Sequence, residues 1–197
     1  DIPLDSGDWL ILARTNYRLK NLVPQLKERG LYFEIKDRKS YRTRLYRSIK
    51  NYTRWTNGDK LSLSECRDLF EFLELDKELK DERMYDLKEF GYSFTDDWYQ
   101  VFKSDPEECL YIREMTRNKE KLSEDPRIKL STIHAAKGGE ATNVLIILDN
   151  TKKIREAIEK NQDKYDEEQR VWYVGVTRTK QNLYIMAAKK EDKGYDI

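Results

Sequence analysis

Ser131-Thr132-Ile133-His134-Ala135-Ala136-Lys137-Gly138-Gly139-Glu140 and, further on, Glu167-Glu168-Gln169-Arg170-Val171-Trp172-Tyr173-Val174-Gly175-Val176-Thr177-Arg178 decide how this 197-residue chain is read. Both segments set charges among residue types that favour burial, and a plain core does not hold such charges unpaired. Around them, short apolar runs alternate with stretches of helical spacing. Trp9-Leu10-Ile11-Leu12-Ala13 reads as a buried strand. Asn16 opens a helix with Leu19, Leu22, Val23 and Leu26 on one side. Pro24 either kinks that helix or lies in the first turn of one beginning near Asn21. Gly30 closes it, and residues 31–35 form a second strand. Strands are expected again at 128–133, 143–148 and 182–187, with helices at 152–165 and 167–176 and a frayed end at 189–197. Strands alternating with helices predict an α/β fold, a parallel sheet with helices on both faces.

From residue 37 to 127 that rhythm is lost. Helical spacing appears at 41–55, at 64–75 (Cys66, Leu69, Phe70 and Leu73 on one side) and at 107–121, with a turn at Asn57-Gly58-Asp59. The expected organisation is one α/β domain, residues 1–36 and 128–197, interrupted by a mostly helical insertion over 37–127. Residues 36–54 hold Lys36, Arg38, Lys39, Arg42, Arg44, Arg47, Lys50 and Arg54 against a single acid, Asp37, and the balance turns acidic from Glu65 to Glu108. Tyr41, Tyr46, Tyr52 and Trp55 are interleaved with the cations. Such a mixture makes a single-strand groove, in which Arg42 and Arg47 neutralise phosphates and aromatic faces stack on bases. The plainer alternative is a solvated helix whose aromatics pack inward.

The composition, 38% hydrophobic and 38% charged with 13 Tyr and 4 Trp, suits a polar globular protein able to bury a real core. A net charge of +1 argues neither for nor against nucleic acid. No apolar run approaches the roughly 20 residues of a membrane span. Cys66 and Cys109 are far apart and form no metal or disulfide pattern, so no metal site is expected and the default setting is the reducing cytoplasm. The chain opens on Asp1 without a Met, as an excised or processed segment would.

No Gly is followed by Lys anywhere in the chain, so the phosphate-cradling pattern Gly-x-x-x-x-Gly-Lys-Ser/Thr is absent. Val144-Leu145-Ile146-Ile147-Leu148-Asp149 looks like a magnesium-holding strand, but without a phosphate loop a buried central strand is the better reading. The chain alone is therefore expected not to hydrolyse ATP. What it offers is the complementary half of a nucleotide site. Ligands of open α/β sheets bind beyond the carboxyl ends of strands. Arg14 follows the first strand, Lys137 and Glu140 follow the strand at 128–133, and Arg178 lies in the turn before the last strand. Apolar neighbours would bury Arg178, which argues for a purpose. An arginine supplied from a neighbouring domain stabilises the charge of a transferring phosphoryl group, and its planar fork binds two oxygens at once.

These motifs resemble the fourth, fifth and sixth motifs of UvrD/Rep-type superfamily 1 DNA helicases. The likeness covers residues 8–35 and 128–187, about a second RecA-like domain, and Tyr173-Val174-Gly175-Val176-Thr177-Arg178 after Glu167-Glu168-Gln169-Arg170 is its most specific part. It implies that Arg14, in Leu12-Ala13-Arg14-Thr15-Asn16, reaches the γ-phosphate and that Arg178 is the arginine finger. It implies that Glu140 contacts the nucleotide ribose and that Thr132 and His134 contact DNA; Lys137 and Gly138, on the same loop, are nucleotide-binding candidates, and the plainer reading of Lys137 is a surface lysine after a tight turn. His134 is the single histidine, and its plainer reading is a hydrogen-bonded structural residue. Glu167 and Glu168 read as charges favouring a helix N-terminus. Gly139 stands where the family has Leu, and Asp149-Asn150-Thr151 replaces the family's acidic Gly-rich loop.

The expectation is thus a RecA-like parallel sheet forming the C-terminal part of an ATP-dependent, 3′-to-5′ DNA helicase or translocase. Its cofactor would be ATP with Mg2+, the magnesium held mainly by an N-terminal P-loop domain of the same protein. Its partners would be that domain and single-stranded DNA, with no membrane and a monomeric state. The alternative is a non-enzymatic nucleic-acid or protein-binding module descended from a helicase half. A helicase–nuclease subunit is a third reading, without a nuclease-type cluster to support it.

Overall fold

The computed structural model describes residues 2–75, 79–91, 97–136 and 138–187. They form two compact units, residues 1–40 with 118–197, and residues 41–117. Residues 37–40 and 118–127, assigned by sequence to the insertion, thus belong to the sheet unit. The frayed end expected at 189–197 lies outside the described residues.

The sheet unit contains β1 (Trp9–Ala13), α1 (Asn16–Glu28), β2 (Phe33–Ile35), β3 (Arg38–Lys39), β4 (Ile128–Thr132), β5 (Ala141–Leu148), α6 (Lys152–Lys160), α7 (Gln162–Val176) and β6 (Thr179–Ala187). Six strands lie in the order β3-β2-β4-β1-β5-β6. All neighbours run parallel except the short hairpin of β2 and β3. That hairpin turns through Lys36 and Asp37, both with positive φ (53° and 57°), as a tight two-residue connection requires. It explains why residues 37–40 stay with the sheet.

Pattern explains the layers. Leu10, Leu12, Val144 and Ile146 project to one side of the sheet, where they form a buried cluster with Ile133 and the fully buried Trp172 of α7. Alternate residues of β1, among them Ile11 and Ala13, face the opposite side. The crossover from β1 to β2 and that from β5 to β6 run in opposite directions along the sheet, so right-handed connections put α1 and α7 on opposite faces. α1 is continuous through Pro24, with Leu19 and Leu26 buried on either side of it. Burial of both leucines outweighs the lost backbone bond, and no new helix starts near Asn21.

The expected helix at 152–165 is two. α6 stops at Lys160, and the side chain of Asn161 accepts hydrogen bonds from the Asp163 and Lys164 amides (2.8 and 3.3 Å) to start α7. Glu167 and Glu168 are therefore inside a helix, not at its N-terminus. β5 and β6 also begin earlier than expected, at Ala141 and Thr179.

The other unit holds α2 (Thr43–Thr56), α3 (Leu63–Leu73), α4 (Trp98–Val101) and α5 (Pro106–Arg117), with a 3-10 turn at Leu87–Phe90. Ser62 and Glu65 form a reciprocal cap at the start of α3. Trp55, Phe70 and Phe90 pack edge and face in its core, with Trp55–Phe70 centroids 5.6 Å apart. α5 ends at Arg117, short of the expected Lys121. Cys66 and Cys109 are buried free thiols, and burial pushes Cys66 up to about 11. No described helix is long and apolar enough to cross a membrane.

The Asn161 cap sets where α7 begins. Asn161→Ala is expected to lower the free energy of unfolding by about 1 kcal/mol, read as a lower midpoint in urea with an unchanged slope.

Candidate functional site

Strand polarity sorts the residues of interest between two edges. Arg14 leaves the carboxyl end of β1, and His134 follows the carboxyl end of β4. Glu140 precedes β5 and Arg178 precedes β6, which places both at the amino edge, where the Ala141 amide donates to the Arg178 carbonyl at 3.1 Å. Register puts residue 14 level with 148 and residue 178 level with 140, about eight positions or roughly 25 Å apart along the strands.

That separation corrects the pairing of Arg14 with Arg178. The two sit at opposite edges of the sheet and do not converge. The cause is the direction of α7, which starts at the carboxyl edge and runs back to the amino edge. Arg178 lies just past the end of that helix. Its Nε donates to the Val174 carbonyl at 3.0 Å and its Nη2 to the Thr177 hydroxyl at 3.3 Å. It shares the Val174 carbonyl with the Thr177 hydroxyl, which donates to it at 2.9 Å, and places a positive charge at the helix C-terminus.

What gathers around Arg14 is different. Its Nε donates to both carboxylate oxygens of Glu168, at 2.8 and 3.0 Å. Glu168 is buried, and Arg14 is about one-quarter exposed at 23%. The Nη1 of Arg14 lies 3.5 Å from His134 Nδ1. A pocket of about 440 Å3 opens here, lined by Arg14, His134, Lys164, Glu167, Glu168 and Arg170 with apolar side chains of α6. Lys164 and Glu167 pair at 2.7 Å, and that bond holds the Glu167 carboxyl below its ordinary range. Arg170 is exposed and makes no hydrogen bond or ion pair with a described residue. Its guanidinium is available to an anion.

Arg170 and Glu168 were missed as site residues. The signal was present in Glu167-Glu168-Gln169-Arg170, but it required the start of α7 at Asn161, which turns residue 168 inward toward Arg14. Thr132 ends β4, and its hydroxyl accepts from the Ala135 amide at 3.3 Å, so it shapes the turn that carries His134. Glu140 is exposed and pairs loosely with Lys180 at 3.8 Å, away from the pocket around Arg14. Gly138 has φ 88°, with open space where a Cβ would stand, so its role here is conformational. Lys137 lies outside the described residues. Asp149 is held by Arg18 at 2.8 Å, which is the behaviour of a paired strand-end residue. Among the described residues no cluster of three or more His, Cys, Asp or Glu side chains suits a metal ion.

The basic stretch of the helical unit does not form a groove. Arg44 pairs with Asp68 and Glu71 (2.9 and 2.6 Å), Arg47 with Asp68 (2.8 Å), and Arg54 with Glu65 (2.7 Å). The acids of α3 therefore pair with three of the cations of α2. Tyr41, Tyr52 and Trp55 are buried and offer no face to a base. Arg42 lies over the Phe72 ring at 5.9 Å, and its amide donates to Glu108. The stacking groove expected there is replaced by an inward-packed helix, with Tyr46 half-buried against Tyr41, while Arg42 and Arg47 stay at the surface.

Residues 16–190 match the UvrD-like helicase C-terminal domain family, and the chain belongs to that family. Its six-stranded, mostly parallel sheet is the RecA-like architecture expected of such a domain. The chain is similar to the ATP-dependent DNA helicase Rep of Buchnera aphidicola subsp. Schizaphis graminum (strain Sg), 35% identical over 83 residues. That match covers 38% of this chain and 12% of the relative, so the chain corresponds to a small part of that protein's length.

Two outcomes are expected. Arg178→Ala lowers stability by about 0.5–1 kcal/mol through the lost helix-end charge, seen in thermal unfolding at low salt and reduced at high salt. Arg47→Ala leaves affinity for a single-stranded oligonucleotide unchanged; a loss that disappears with added salt would return this stretch to DNA.

Proposed function

We propose that this chain is the arginine-donating half of an ATP-driven DNA translocase, completed by an N-terminal P-loop domain of the same protein. The observation that carries the reading is the convergence of Arg14 and Arg170 on one pocket at the carboxyl edge. Two guanidinium groups from different elements suit the equatorial oxygens of a phosphoryl group in transfer, where negative charge spreads over several atoms. The donor set fits a phosphate chain. It does not fit a metal ion, since both pocket carboxylates are already paired, so Mg2+ would be held by the P-loop domain. ATP, when bound between the domains, supplies the phosphoryl transfer.

Within this chain the division of labour is simple. Arg14 and Arg170 bind and orient the terminal phosphate. Lys164 adds positive charge at the rim. His134, exposed on the turn after β4 and touching Arg14, is read as a contact to single-stranded DNA. Glu140 and Arg178 have no part in the phosphate site. The family membership and the partial likeness to Rep support the assignment to a helicase. The free, buried thiols suit the reducing cytoplasm.

In the full-length protein, Arg14→Ala and Arg170→Ala should each lower kcat for DNA-stimulated ATP hydrolysis by about a hundredfold or more, while Arg178→Ala stays near wild type. Wild-type turnover in Arg170→Ala, with loss in Arg178→Ala, would overturn this assignment.

A further inference from the structure

We propose that Glu168 is a positioning residue that fixes the direction in which Arg14 presents its guanidinium to the phosphate; this rests on the nucleotide reading above. The carboxylate is only 5% exposed, and both its oxygens take a hydrogen bond from the same atom, Arg14 Nε. With Nε committed to Glu168, Nη1 lies 3.5 Å from His134 Nδ1, and Arg14 lines the pocket beside it. A guanidinium has five donors in a rigid fork, so holding one end sets the aim of the others.

Charge argues against a place for Glu168 in the ligand's own cradle. A carboxylate beside a phosphate repels it, and a site made only for affinity would omit the acid. Stability is also a weak reason for the pair, because desolvation of buried ions offsets much of their attraction. Orientation is what remains. Arg14 hangs on a side chain with four rotatable bonds at the end of a strand, and without an anchor it would sample many directions. Glu168 stands two residues before Arg170 on the same helix, so its grip sets Arg14 relative to the second cation as well as to the strand. Misaligned groups cost rate rather than binding, since the charge they meet develops in the transition state.

The test is a double-mutant cycle in the full-length protein, reading steady-state ATP hydrolysis at saturating single-stranded DNA. Glu168→Gln, which keeps shape and loses charge, is expected to lower kcat about tenfold with little change in KM for ATP. Arg14→Ala is expected to lose about a hundredfold, and the double variant should be no slower than Arg14→Ala alone, because nothing is left to aim. Glu168→Asp, charged but shorter, should fall between wild type and Glu168→Gln. Multiplying losses in the double variant overturn the proposal, as does a Glu168→Gln protein with wild-type kcat and only a lower thermal midpoint. Should Glu168→Gln not fold, the same cycle with Glu168→Asp decides, non-additive losses supporting and multiplying losses overturning. Full turnover in Arg14→Ala would sink the nucleotide reading, and the positioning role with it.

Discussion

Burial of Trp172 fixes the helix on which the functional reading depends. The indole has no solvent exposure and sits in one apolar cluster with Leu10, Leu12, Val144 and Ile146 of β1 and β5. Full burial of so large a side chain sets both the height and the rotation of α7 over the sheet. With that rotation fixed, the helix turns residue 168 down toward the end of β1 and leaves residue 170 open to solvent. The charged and apolar halves of the motif are therefore one device. Apolar residues seat the helix, and the seat aims the charges.

The polarity of the strands is the second constraint. In a parallel sheet every strand exit lies at one edge and every entry at the other, and a crossover helix must travel between them. α7 makes that journey, so a motif that spans it cannot deliver all its polar residues to one place. Residues near its start meet Arg14, and Arg178, near its end, serves the backbone of the helix. A run of residues that looks like a single functional block is divided by the length of a helix, about 12 Å between residues 170 and 178.

The helical unit carries a related lesson. Five cations between Arg42 and Arg54 look like a nucleic-acid surface, yet α3 places Glu65, Asp68 and Glu71 against three of them. Charge asymmetry along a sequence becomes charge complementarity when a basic helix packs beside an acidic one. The exposed pairs contribute little stability individually; they determine which residues are left to act on a partner.

The alternation of short apolar runs with helical spacing determined the α/β class, the parallel sheet and the helical interruption, because strand and helix periods are local properties of the chain. The carboxyl-edge position of Arg14 was legible for the same reason, since it follows a strand of five buried residues. Helix limits at Asn161 and Arg117 were less so, because a single cap or a residue of positive φ decides them, and long charged stretches hide both. The pairing of Arg14 with Glu168, the place of Arg170 beside the same pocket and the position of Arg178 at the opposite edge of the sheet were decided only by tertiary structure. Those relations join residues 154 positions apart in the chain, and they follow from which face of α7 the sheet accepts and which end of each strand a residue occupies.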